Sequence, residues 1–258
     1  MVIRRIREHV GAHNWFAVAI DLAIVVLGVI IATQVNNWNE ARIEREQGRN
    51  YRARLIEDLQ TNETDMQQRR VYYLDVRRHA IAALKVLEQP PAPAGGEFLI
   101  DAYQATQIMP RTVKRFTYDE MIAAGGIDRL GAVKLRERVS NYYSTMQTSE
   151  VTFGSIPPYR EHLRQVMPYG AQQRVRLDCA EQNGTDAVGS ATAALPKSCR
   201  LDLEPATIAK AAAQVRESPG IDRDLTRYLI DLDLKLELFT LVERRARNLR
   251  RILEAQST

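Results

Sequence analysis

Residues 15–38 read WFAVAIDLAIVVLGVIIATQVNNW, and this stretch decides the architecture. As a helix, the run from Trp15 to Val35 extends about 31 Å at 1.5 Å per residue, against a hydrocarbon core of roughly 30 Å. Trp15 and Trp38 bracket it in the places where interfacial anchors sit. A cleavable signal peptide has a shorter apolar run and a small-x-small cleavage site. Here the continuation is Ala-Thr-Gln-Val-Asn-Asn-Trp, a poor match. A buried core helix would carry a polar stripe, and Leu22 to Ala32 has none. The expectation is an uncleaved signal anchor over residues 14–37.

Asp21 interrupts this run. An ionisable side chain in a membrane span is costly and often functional. At helical spacing Asp21, Gly28 and Ala32 share one face, and Gly28-xxx-Ala32 is a small-xxx-small pattern that admits a second helix. Three readings are open for Asp21. It lies about 9 Å from Trp15 along the axis, within reach of headgroup water. It could instead meet a partner helix, or relay protons.

Over the whole chain the composition is that of a globular protein, with 45% hydrophobic and 26% charged residues, which excludes wholesale disorder. Arg4, Arg5 and Arg7 precede the span, whereas Arg42, Arg45, Arg49, Arg52 and Arg54 follow it, so the positive-inside count does not fix orientation. From Trp38 onward 33 basic and 30 acidic residues are interspersed as on a solvated helical surface, which argues against nucleic-acid binding. The only two cysteines, Cys179 and Cys199, lie outside any CxxC motif and have no His between them, which argues against zinc and thioredoxin-like chemistry. A disulfide closing that loop would contribute about 3 kcal/mol and would place the domain outside the cytosol. Two free thiols are the alternative. The expected topology is a cytoplasmic N-terminus (1–13) and a periplasmic domain (38–258), on a bacterial inner membrane.

The rest of the chain is patterned for helices. Residues 38–88 hold no Pro and one Gly. Tyr51, Leu55, Leu59, Met66, Tyr73, Val76, Ala80, Leu84 and Leu87 recur at helical spacing, as in one long amphipathic helix continuous with the span. The segment 89–96, QPPAPAGG, ends it. A shorter helix is expected over 97–109, stopped by Pro110. Thr117-Tyr118-Asp119-Glu120 reads as a capping box, with Thr117 and Glu120 as its two partners, and Gly125-Gly126 stops the helix it opens. Further helices are expected from near Leu130 towards Val151, from Pro157-Pro158 to near Pro168, from Pro205 to Glu217, and from Ile221 to about Ala255. Residues 170–204 read as an irregular loop with room for a short hairpin. Tyr228, Leu232, Phe239, Val242, Ala246, Leu249 and Leu253 keep close to a heptad and suit pairing with the 38–88 helix. The fold class is all-α: a membrane helix running into a long helix, then an antiparallel bundle with one disulfide-closed loop.

Two stretches carry a resemblance. The first runs from Asp21 through Gln34-Val35-Asn36-Asn37-Trp38-Asn39-Glu40. The second is Phe116-Thr117-Tyr118-Asp119-Glu120-Met121 with Ala124-Gly125-Gly126, Leu130, Leu135-Arg136 and Asn141-Tyr142-Tyr143. Together they resemble a bacterial family of single-span membrane proteins known as domain-of-unknown-function family number 6090, over roughly residues 1–145. That family more often shows Glu where Asp21 stands, which implies an acid is needed there. The resemblance implies membrane location and brings no catalytic residue or cofactor.

The chemistry-bearing residues are sparse. His9 and His13 have the spacing of a metal pair but no flanking carboxylate, and read as interfacial side chains. His79 and His162 stand alone in the sequence. No GxSxG, Walker loop, GxGxxG or HExxH occurs. Asp119 and Glu120 point about 100° apart on a helix and do not converge. Tyr72-Tyr73 and Tyr142-Tyr143 each suggest one ring in the core and one at the surface. No metal site or cofactor is expected. The leading expectation is a non-enzymatic inner-membrane protein whose periplasmic bundle serves assembly or partner binding. Its partners would be the bilayer and, through Asp21, Gly28 and Ala32, a second copy or another membrane protein. The alternatives are a sensor-like ligand-binding ectodomain and an accessory subunit of a larger, proton-coupled complex. A hydrolase would need a clustered nucleophile and base that the linear order does not reveal.

Overall fold

The computed structural model describes residues 15–89, 94–185 and 191–256; the expectations for residues 1–13, with His9 and His13, and for the prolines at 90, 91 and 93 fall outside them. One helix, α1, runs unbroken over Trp15–Glu88, so the apolar run and the amphipathic run form a single rod. At 1.5 Å per residue its 74 residues extend about 110 Å. Between Trp15 and Gln47 the rod stands alone. From Gly48 onward it is the spine of a bundle.

Seven more α-helices follow among the described residues: α2 (Gly96–Gln104), α3 (Phe116–Ala123), α4 (Val133–Phe153), α5 (Pro158–Val166), α6 (Tyr169–Asp178), α7 (Pro205–Arg216) and α8 (Ile221–Glu254). A 3-10 turn over Ile127–Leu130 joins α3 to α4. The hairpin of β1 (Gln182–Thr185) and β2 (Ala191–Ala194) pairs Gln182 with Ala194 antiparallel. The expected all-α bundle is the observed one, and its principal contact is α1 against α8.

Polar pairs fix the antiparallel register of α1 and α8. Arg77 Nε donates to Asp233 Oδ1 at 2.5 Å, and Gln67 Nε2 to Glu243 Oε1 at 2.9 Å. Arg247 Nε reaches Glu63 at 2.6 Å and Arg250 reaches it at 3.2 Å. The heptad residues Tyr228, Leu232, Phe239, Val242, Ala246, Leu249 and Leu253 are all buried, as are Leu55, Leu59, Met66, Tyr73, Val76 and Ala80 opposite them. Leu84 and Leu87, towards the end of α1, are half-buried. Phe239 stacks on Tyr73 and on Phe153, which ties α4 to the main pair.

Five sequence expectations need correction. First, α2 stops at Gln104 rather than 109, because side chains of α1 hold the following backbone in an irregular path. Tyr73 OH accepts from Met109 N–H, Arg69 Nη2 donates to Arg111 O, and Asn62 makes two 2.8 Å bonds to the Lys114 backbone. Second, Thr117 and Glu120 form no capping box. α3 starts two residues earlier, at Phe116, with Arg115 at the cap and no side-chain cap bond. Thr117 N–H donates to Asp58 of α1, and the Glu120 carboxylate takes the Arg54 guanidinium, a stronger partner than a backbone amide. Third, the helix expected to begin near Leu130 starts at Val133, since Gly131 at φ 92° breaks the chain after the 3-10 turn. Fourth, residues 170–178 of the expected irregular segment are helical, as part of α6, with Ala171 and Val175 buried. Fifth, both members of each tyrosine pair are buried, because α1 and α4 are covered on more than one side. Tyr72 donates to Glu181 ahead of β1, and Tyr143 stacks on Tyr118 with centroids 4.2 Å apart.

Candidate functional site

The N-terminal, unpacked part of α1 is a candidate membrane span by length and composition. Its most apolar window, from Val18, has a mean hydropathy of 2.4 and none of it is buried, whereas the core helix of a soluble domain would bury most of such a run. It is the one helix among the described residues long and apolar enough to cross a membrane. Trp15 and Trp38 are 71% and 65% exposed, one at each end. Asp21, Gly28 and Ala32 fall on one face of this exposed segment, seven and eleven residues apart, and a Cβ added at Gly28 would meet nothing within 4 Å. Asn36 to Gln47 follow as a polar, exposed stretch of the same helix, about 18 Å long, before the bundle begins.

Cys179 and Cys199 are joined by a disulfide, with Cα atoms 5.5 Å apart. The bridge closes the hairpin loop onto the end of α6, and Gln104 Nε2 donates to the Cys179 carbonyl at 2.8 Å inside the core. Such a bond persists in oxidising compartments, which agrees with a domain outside the cytosol. Beside Cys199 lies a cleft of about 560 Å³ between α2 and α7, walled by Gly96, Ile100, Leu201, Leu203, Pro205 and Ile208.

Four polar clusters sit inside the bundle, and sequence reading singled out none of them as a cluster. Lys235 of α8 is 3% exposed. Its ammonium lies 4.9 Å from the Tyr73 ring and 3.4 Å from the Phe153 carbonyl, and burial pushes its pKa down to about 8. Arg160 and Arg164, one turn apart on α5, both reach Thr106, and Arg164 lies over the Tyr103 ring. Burial and the neighbouring Arg164 charge lower the Arg160 pKa. His79 Nδ1 meets Asp101 Oδ1 at 2.6 Å. His162 lies between Asp224, at 2.7 Å from Nδ1, and Ser218, at 2.9 Å from Nε2. Both described histidines that look isolated in the sequence therefore have a carboxylate partner. No group of three or more His, Cys, Asp or Glu side chains that could hold a metal occurs among the described residues.

No family model, curated protein or solved structure matches this chain. Its functional reading therefore rests on its own geometry.

Proposed function

We propose that this is a membrane-anchored protein whose helical domain, held outside the cytosol on a rigid stalk, serves assembly or partner binding. The observation that carries the reading is the continuity of α1. The exposed apolar segment passes into the bundle spine with no break, so one helix belongs to both the anchor and the domain. In this reading the span lies in a bacterial inner membrane with its N-terminus in the cytoplasm. Asp21, Gly28 and Ala32 meet a second helix there, from another copy or from a different membrane protein, since small residues let backbones approach closely. The disulfide supports the extracytoplasmic placement.

The experiment is purification in mild detergent, with mass measured in solution and co-purifying proteins identified. The wild type should run as a defined homo-oligomer or with a stoichiometric partner, and Gly28→Ile and Asp21→Leu should each release it. Identical mass and identical partners in both variants would refute the helix contact.

A further inference from the structure

Ser218, His162 and Asp224 are separated by 56 and 62 residues in sequence, and the fold brings them to one point. Asp224 Oδ2 lies 2.7 Å from His162 Nδ1, and Ser218 Oγ lies 2.9 Å from His162 Nε2. An ionised carboxylate can only accept, so Nδ1 carries the imidazole proton and donates it to Asp224. Nε2 then presents its lone pair to Ser218, whose hydroxyl donates. This is the order of nucleophile, base and orienting acid that activates a serine.

Each residue is placed by a different element. His162 lies on α5, Ser218 in the break after α7, and Asp224 in the first turn of α8. Gly220 makes the reversal at φ 87°, a backbone state that favours glycine, and so lets Ser218 and Asp224 meet the same ring. α5 does not need the cluster in order to pack, because Tyr159 and Leu163 are fully buried and Tyr159 stacks on Tyr228 of α8. The cluster itself remains reachable, with the His162 side chain 23% exposed and Asp224 35% exposed.

We propose that Ser218 is the nucleophile of an acyl-transfer site, with His162 as general base and Asp224 as the positioning residue. Ser218 Oγ attacks the carbonyl carbon of an ester and gives its proton to His162 Nε2. The tetrahedral intermediate collapses as the alcohol leaves with that proton, and the acyl group stays on Ser218. Water, deprotonated by the same nitrogen, then releases the carboxylic acid and restores the serine. The Arg223 guanidinium lies over Gly220 and favours an ester that carries a further negative charge. From the register with α1, the site lies roughly 75 Å along the helix axis from Val35, so its substrate is water-borne and not a bilayer lipid. This activity runs against the non-enzymatic expectation drawn from the linear sequence, and does not depend on the helix contact proposed above.

The test is labelling of the purified full-length protein with a fluorophosphonate, read by intact mass and by mapping the modified peptide. The expected result is a single adduct on Ser218 that is absent in Ser218→Ala. Labelling should be slowed about 100-fold or more in His162→Asn and less in Asp224→Asn, with thermal unfolding showing that the variants remain folded. Hydrolysis of a 4-nitrophenyl hemisuccinate ester should fall in the same order. Absence of an adduct on the wild type, an adduct on a residue other than Ser218, or equal rates in folded wild type and His162→Asn would overturn the proposal.

Discussion

A Cβ added at Gly48 would stand 2.2 Å from the Arg129 carbonyl oxygen, so α1 touches the 3-10 turn backbone to backbone at the end of the bundle nearest the exposed apolar segment. The obstacle is backbone, not a flexible side chain. Gly48 also marks where the free stalk ends and packing begins.

Gly48→Ala should therefore destabilise the bundle by about 1–3 kcal/mol, the usual cost of forcing volume into a closed contact. Urea denaturation followed by circular dichroism would measure it. Gly28→Ala, with open space around it, should leave the midpoint unchanged. Equal midpoints for Gly48→Ala and the wild type would mean that α1 and the turn do not pack as described.

Lys235 gives the fold a pH dependence of known sign. Its pKa in the folded state, about 8, lies below the ordinary 10.5, because burial disfavours the ammonium. Between these values the unfolded chain binds the extra proton, so stability rises with pH across that window. Below pH 8 the full penalty is present. Lys235→Met should stabilise the protein at neutral pH by about 2–3 kcal/mol and lack the alkaline rise. Parallel stability curves for the variant and wild type from pH 7 to 10.5 would contradict this account.

Glu63 is the shared acceptor of Arg247 and Arg250, and it is 9% exposed. Glu63→Gln leaves two guanidinium groups of α8 facing a neutral amide. A lower unfolding temperature is expected, with the effect limited because both arginines are partly exposed and keep Glu243 and Glu254 as partners. Thermal unfolding would register it, and an unchanged transition would show that the α1–α8 register is not held there.

Much of the fold is legible in the sequence. The apolar run, the absence of Pro from 38 to 88 and the heptad from Tyr228 to Leu253 define the long helices, because their periodicity extends over many turns. What escapes linear reading depends on partners far along the chain. The Thr117–Glu120 spacing is that of a capping box, yet Asp58 and Arg54 claim both residues. Tyr72 looks like a surface residue by spacing from Tyr73, but Glu181 and the hairpin region cover it. Glu63, Arg247 and Arg250 read as solvated charges until α1 and α8 are paired. Of the site residues, Cys179 and Cys199 were visible as a pair. Ser218, His162 and Asp224 carried no motif, because three elements supply them.

The disulfide should matter to stability more than to architecture. It closes a loop across a sequence separation of 20 at the end of α6. Replacing Cys179 and Cys199 together by Ser should cost about 3 kcal/mol with helix content nearly unchanged. A collapse of helicity in the double variant at low temperature would show that the hairpin region organises the whole bundle.

The central claim is that one helix both crosses the membrane and supports an extracytoplasmic domain. Its most direct test is fractionation of bacterial cells expressing the full chain with a C-terminal tag. Membranes are washed with alkaline carbonate, and spheroplasts are treated with protease. The account predicts that the protein stays with the washed membranes and that protease added outside removes the tag. Release by carbonate, or a tag protected until the cells are lysed, would contradict it.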